Sequence, residues 1–266
     1  MTVPMVMENV QAVISNPEVL TALKDLLYQL ADDDLVIGHR ASEWLGLAPE
    51  IEEDVAFSSI SQDEVGHAVF YYNLLAELGE DVADKLAFER SPHARRNAVM
   101  LERENGDWAH TIVRHWFYDS FEDLRLQALE TSAYVPLRQG AVKIRREEFY
   151  HNLHHDLWFR RLIRAGGEAR HRMEAAIAQL WSDVPSLFDL GPHADMLRES
   201  GILPVTSVEL QKAWRDKVAG VMRELDVQVP TQWCDASDGR RRHTDALSEL
   251  LQTMGEVYFI DKAAVW

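Results

Sequence analysis

The feature that most constrains this chain is a pair of matched intervals. Glu64 and His67 lie three residues apart in SISQDEVGHAVFYY, and Glu148 and His151 repeat the pattern in KIRREEFYHNLHH. Asp34 precedes Glu64 by 30 residues, and Asp119 precedes Glu148 by 29. Residues three apart share one face of a helix, and the neighbours Ile60, Val65, Phe70 and Tyr71 give the first pair the rhythm of a buried helix. Charge on a buried face needs partners, because leaving it unpaired is costly. In an antiparallel helical hairpin, each interval sets the lone carboxylate at the depth of the pair that follows. Four carboxylates and two imidazoles would then converge, and such oxygen and nitrogen donors suit iron or manganese. The plainer alternative is a buried polar network without metal.

The rest of the pattern supports an all-α fold. Helical spacing of apolar residues predicts helices over about 16–47, 50–78, 107–133, 137–165, 168–189, 206–226 and 243–257, with a short helix around 84–88. Asn16 and Pro17 open the first of these, while Ala48-Pro49, Gly79, Pro136, Gly166-Gly167 and Gly191-Pro192 punctuate the chain. No fixed repeat and no series of strands is visible. Two helix pairs joined by a long crossover fit a ferritin-like helical bundle. The expected division is a bundle over 1–190 and a helical C-terminal extension over 191–266, packed on the same domain. VPTQWCDASDGRRRH reads as an irregular loop, with Arg240, Arg241 and Arg242 in solvent or facing an anionic ligand or partner.

Composition narrows the function classes. With 266 residues, 47% of them hydrophobic, the chain can form a sizeable core. A net charge of −17 argues against non-specific nucleic-acid binding, which depends on Lys and Arg neutralising phosphates. Cys234 is the sole cysteine, so neither an intrachain disulfide nor a cysteine-based metal site is expected. The N-terminus, MTVPMVMENVQAV, does not read as a signal peptide, and no run of 18 apolar residues suggests a membrane span. A cytoplasmic location is expected.

Several residues have two readings. Asp63 and Glu147 each directly precede a glutamate of the constellation, and either could accept a hydrogen bond from a ligand histidine and so fix its tautomer. Asp32 and Asp33 compete with Asp34, and an acidic triplet is often only solvated. His154 and His155 read as supporting or surface groups rather than ligands. Glu168 and His171 form a third Glu-x-x-His pair at a helix start, which is assigned to chance. Trp116, Phe117, Phe121, Phe70 and Tyr71 either line a pocket or fill the core.

SQDEVGHAVFYY, DWAHTIVRHWFYD and REEFYH resemble the catalytic di-iron subunit of the bacterial multicomponent phenylacetyl-CoA epoxidases of phenylacetate degradation. ASEWLGLAPEIEEDVAFSSISQD, the chain length and the tail ending in Trp266 instead resemble the smaller, PaaC-like partner subunit, over nearly the whole chain. The catalytic likeness implies two iron ions (or manganese) held by Glu64, His67, Asp119, Glu148 and His151. The first-helix ligand of that family is a Glu, and it falls on the shorter Asp34. The partner likeness implies a structural subunit that lacks ligands and supports the catalytic one. Further implied partners are a flavin and iron–sulfur reductase, an aromatic acyl-CoA substrate and a homologous catalytic di-iron subunit, with epoxidation of the substrate ring as the reaction. A stand-alone carboxylate-bridged di-iron oxygenase is the alternative. A metal-storage ferritin fits less well, because a closed shell has no need of the C-terminal extension.

Overall fold

The computed structural model describes residues 6–233, 239–262 and 264, so Cys234, Trp266 and the first five residues lie outside it. The fold is all-α, as expected of a ferritin-like bundle. Its helices are α1 (Val10–Ile14), α2 (Pro17–Ser42), α3 (Ile51–Glu77), α4 (Ala83–Phe88), α5 (Val99–Glu102), α6 (Trp108–Leu129), α7 (Val135–Ala165), α8 (Gly167–Leu180), α9 (Ala194–Glu199), α10 (Ser207–Glu224) and α11 (Asp245–Gly255). Among the described residues the sole sheet-like contact is an isolated parallel bridge between Met7 and Tyr134. No described helix is long and apolar enough to cross a membrane.

Local chemistry sets the helix ends. Glu52, Glu53 and Asp54 occupy the first turn of α3, where negative charge opposes the positive end of the helix dipole. The Asp107 side chain caps α6 by accepting from the His110 N–H at 2.9 Å. Pro136 sits in the first turn of α7, where its missing N–H is not needed, and Gly166, with φ 70°, ends that helix. Thr206 and Glu209 close α10 with reciprocal side-chain-to-backbone bonds, the arrangement called a capping box. The fifth predicted helix is shorter than its pattern. α8 stops at Leu180, and Val184–Phe188 follows as a 3-10 turn around Pro185, which has no N–H to donate. The helices missing from the sequence reading, α1, α5 and α9, run only four to six residues, too short to show a period.

The contacts group the chain into two units, neither of them a continuous segment. One comprises the segment up to Leu26 with Asn105–Gly239. Here α6 and α7 run antiparallel, tied by Arg145 to Asp123 at 3.0 Å and by the Trp116 indole N–H to Asp156 at 3.1 Å. The buried Trp214 of α10 donates its indole N–H to the Phe117 carbonyl at 2.9 Å, which locks that helix of the C-terminal part onto α6. Trp116 stacks on Phe159 with ring centres 3.8 Å apart. Trp116, Phe117 and Phe121 are therefore core, and so is Tyr71 in the other unit.

The second unit comprises Leu27–Glu104 with the segment from Arg240 onward. α2 and α3 approach closely at Gly38, where an added Cβ would lie 2.7 Å from the Glu64 Cβ. Asp32 accepts two bonds from Arg90, at 2.8 and 2.9 Å, and one from the Tyr72 hydroxyl at 2.6 Å. Asp33 accepts from the Ala98 N–H at 2.8 Å and from Arg240 at 2.7 Å. Arg240 is 1% exposed, so the solvated-loop expectation fails for it, because a buried carboxylate requires donors. Arg241 and Arg242 are exposed. Glu102 holds the same segment through the Thr244 N–H at 2.5 Å, the Thr244 hydroxyl at 2.8 Å and the His243 Nδ1 at 2.8 Å.

Three substitutions test this packing. Gly38→Ala should lower the free energy of unfolding by about 1–3 kcal/mol through overpacking against Glu64. Gly66→Ala, where an added Cβ meets nothing within 4 Å, should raise it by up to about 1 kcal/mol through helix propensity. Urea denaturation of both variants checks the contrast. Arg240→Ala strands the buried Asp33 carboxylate and should cost about 3–5 kcal/mol in the same measurement; a loss below about 1 kcal/mol would show that the pair does not anchor the C-terminal segment.

Candidate metal centre

The acidic triplet on α2 is not solvated. Asp32, Asp33 and Asp34 are all buried. Asp32 and Asp33 are taken up by arginines and backbone donors, while Asp34 joins Glu64 and His67 of α3. One donor atom from each of these three residues lies within 4.8 Å of the other two, and the residues are 2%, 1% and 4% exposed. Gly38, one turn beyond Asp34, draws α2 and α3 together at Glu64. A close helix pair shortens the span that the first carboxylate must cover, which suits Asp where the resemblance implies Glu.

The other unit holds a second cluster. Asp119 of α6 lies with His115 of the same helix and His155 of α7, their donor atoms again within 4.8 Å. His155 Nδ1 is 2.6 Å from Asp119 Oδ2, and the His115 and His155 rings stack with centres 4.5 Å apart and planes 25° from parallel. Asn152 donates to the Asp119 carbonyl at 3.0 Å. These bonds set Asp119 level with residues 152–155, about one turn beyond Glu148. Glu148 and His151 are buried on α7, with His151 Nδ1 3.1 Å from Glu148 Oε1.

The remaining sequence candidates supply no donor atom to these clusters. Asp63 is half-buried on α3. Glu147 is half-buried, with its carboxylate 4.0 Å from Lys143. Glu168 and His171 are exposed at the start of α8, where Glu168 accepts from Arg172 at 2.7 Å. His115 does not stand out in the sequence and His155 reads there as a supporting or surface group; both are fully buried. A signal existed: His115 stands four residues before Asp119 and His155 four after His151, which puts each on the face of its neighbour.

A family model described as phenylacetic acid catabolic protein matches residues 7–266. The chain belongs to this family. It is 32% identical over 228 residues to the C component of the 1,2-phenylacetyl-CoA epoxidase of Escherichia coli (strain K12), a match covering 85% of this chain and 92% of that protein. It is also 26% identical over 197 residues to the A component of the same enzyme and organism, covering 70% of this chain and 62% of that relative.

The donors of this chain fit a metal ion. Each cluster offers carboxylate oxygen and imidazole nitrogen away from solvent, a donor set suited to iron or manganese. Asp119 Oδ1 is buried and accepts no hydrogen bond among the described residues, which leaves its lone pairs for a cation. Burial raises the Asp119 carboxyl above its ordinary range; His155 opposes the rise without cancelling it, and the Glu148 charge adds to it. Burial, reinforced by His155, pushes the His115 imidazole well below its usual range. Burial likewise brings His154 to about 4, with His155 and His151 adding to the shift. Neutral imidazole is the form that binds metal.

His110 gives a clean pH test away from these clusters. Burial, then the Arg114 charge, lowers it from 6.5 to about 4. As pH falls, the unfolded chain takes up this proton first, so the contribution of His110 to stability is full above pH 6.5 and is lost on the way down to about 4. His110→Gln should therefore flatten the fall in unfolding free energy across that window. Urea titrations at several pH values would show it, and an unchanged slope would rule the group out as a source of acid sensitivity.

Proposed function

We propose that this chain is the C-type component of a multicomponent 1,2-phenylacetyl-CoA epoxidase acting in phenylacetate catabolism, and that it carries a dimetal site of its own. The observation that carries the reading is a likeness to the epoxidase C component along most of both chains, in a chain with buried carboxylate–histidine clusters. The proposed ligands are Asp34, Glu64, His67, Asp119, Glu148 and His151. Carboxylates buried in one site repel one another, and without cations some of such a set would stay protonated. Two divalent ions, iron or manganese, would balance the four charges while His67 and His151 bind as neutral imidazoles. When bound, iron supplies oxygen-activating redox chemistry; the part of this chain is to hold the ions in a dry, helical setting. Asp63 and Glu147 belong to the proposal as acceptors behind the ligand histidines. So does the division into a ferritin-like bundle over 1–190 and an extension over 191–266.

The partners follow from the same reading: a flavin and iron–sulfur reductase, an aromatic acyl-CoA substrate and a homologous, A-type catalytic subunit, all in the cytoplasm. The second likeness, to the A component, favours one competing reading, an independent di-iron oxygenase. Co-expression separates the two. The component reading predicts one co-eluting complex with an A-type catalytic partner, whereas turnover of phenylacetyl-CoA by this chain and a reductase alone would favour the independent enzyme.

The metal prediction is direct. Purified under iron or manganese supplementation, the chain should hold about two ions, matching four buried carboxylates against two divalent charges. His67→Ala with His151→Ala should abolish that content, and Glu168→Ala with His171→Ala should leave it intact, as read by elemental analysis. If neither metal co-purifies and neither raises the melting temperature, the clusters are a polar network and the chain has a structural role in the complex.

A further inference from the structure

We propose that His155 is a positioning residue for the metal site, acting through Asp119; this role rests on the metal-binding reading above. The two oxygens of Asp119 are in different situations. Oδ2 is 2.6 Å from His155 Nδ1, and Oδ1 accepts no hydrogen bond among the described residues although it is buried. With Nδ1 donating, the bond fixes the rotation of the carboxylate and keeps Oδ1 for the ion. The ring that makes this bond is itself held, because His115 stacks on it from α6. The Asp119 backbone is pinned from the opposite helix by Asn152. All four groups are thus fixed on the single antiparallel pair α6 and α7. This is the arrangement by which an outer hydrogen bond orients a ligand and tunes its affinity. It also gives the two histidines outside the proposed ligand set a shared task, since His115 sets the plane of the ring that sets the carboxylate.

The experiment is a manganese(II) titration of the full chain, read by electron paramagnetic resonance of the free ion. The variants are His155→Asn, His155→Gln, His155→Leu, Asp119→Asn and the double variant Asp119→Asn with His155→Leu. Asn places its amide where Nδ1 was, while Gln places it near the far nitrogen. His155→Leu and His155→Gln should weaken binding about 10–100-fold, and His155→Asn should restore it to within about threefold of the parent. Leu at 155 should cost nothing further once Asp119 is Asn, because the effect passes through that carboxylate. Should Leu prevent folding, the Asn and Gln pair carries the comparison, with apo stability measured in urea. Equal losses for Asn and Gln, or a further loss in the double variant, would make His155 a direct ligand and overturn the proposal, as would unchanged binding in the Gln variant. A parent chain that binds no manganese or iron overturns the metal reading itself, a result distinct from any failure confined to the variants.

Discussion

A carboxylate buried among helices must meet either strong donors or a cation, and this fold is organised around that requirement. The triplet on α2 shows it at three consecutive residues. Asp32 would be raised by its burial, yet Arg90 and Arg95 hold it down at about 2, and it stays charged. Asp33 bridges the Ala98 N–H and Arg240. Asp34 meets another carboxylate and an imidazole. Three like residues in sequence thus have three different partners, because successive side chains on a helix point about 100° apart.

The partner separates framework from site. Arg is charged under all conditions and cannot give up its proton to become a ligand. Carboxylates facing arginine, namely Asp32, Asp33 and Glu122 with Arg125 at 2.6 Å, hold segments together. Breaking such a pair leaves an uncompensated buried charge, which is why the segment from Arg240 is bound as part of its unit. Carboxylates facing histidine, namely Asp34, Glu64, Asp119 and Glu148, have as partner an imidazole, which in its neutral form can bind a metal.

Much of this was legible in the sequence, and the losses have physical causes. The long helices were readable because each carries several turns of apolar spacing, and the Glu-x-x-His pairs were readable because spacing of three is a local property. Arg240 was not, since its partner Asp33 lies 207 positions away and no local pattern records such a contact. Its neighbours Arg241 and Arg242 are exposed, so a run of three arginines conceals one with a different role. For His155 the choice between a supporting and a surface group stayed open for a related reason, and burial decides against the surface. In the run from His151 to His155 only three-dimensional register distinguishes the imidazole that faces α6 from the half-buried His154 beside it.

Register also refines what an interval between two residues can establish. Intervals of 30 and 29 assume equal connections and a symmetric crossing, yet the bonds from Asp119 lead to Asn152 and His155 rather than to Glu148. On α2 and α3, by contrast, Gly38 brings the backbones together at Glu64, and Asp34 joins the pair that its interval anticipates. The difference lies in what fixes each crossing. A glycine contact sets the α2–α3 approach at one point, within a turn of Asp34. The α6–α7 pair is instead set by the stacked Trp116 and Phe159 rings, the Trp116–Asp156 bond and the Arg145 salt bridges, so the level of Asp119 follows from aromatic packing as much as from its position in the chain. A carboxylate placed that way depends on the ring beside it, and in this fold that ring is an imidazole.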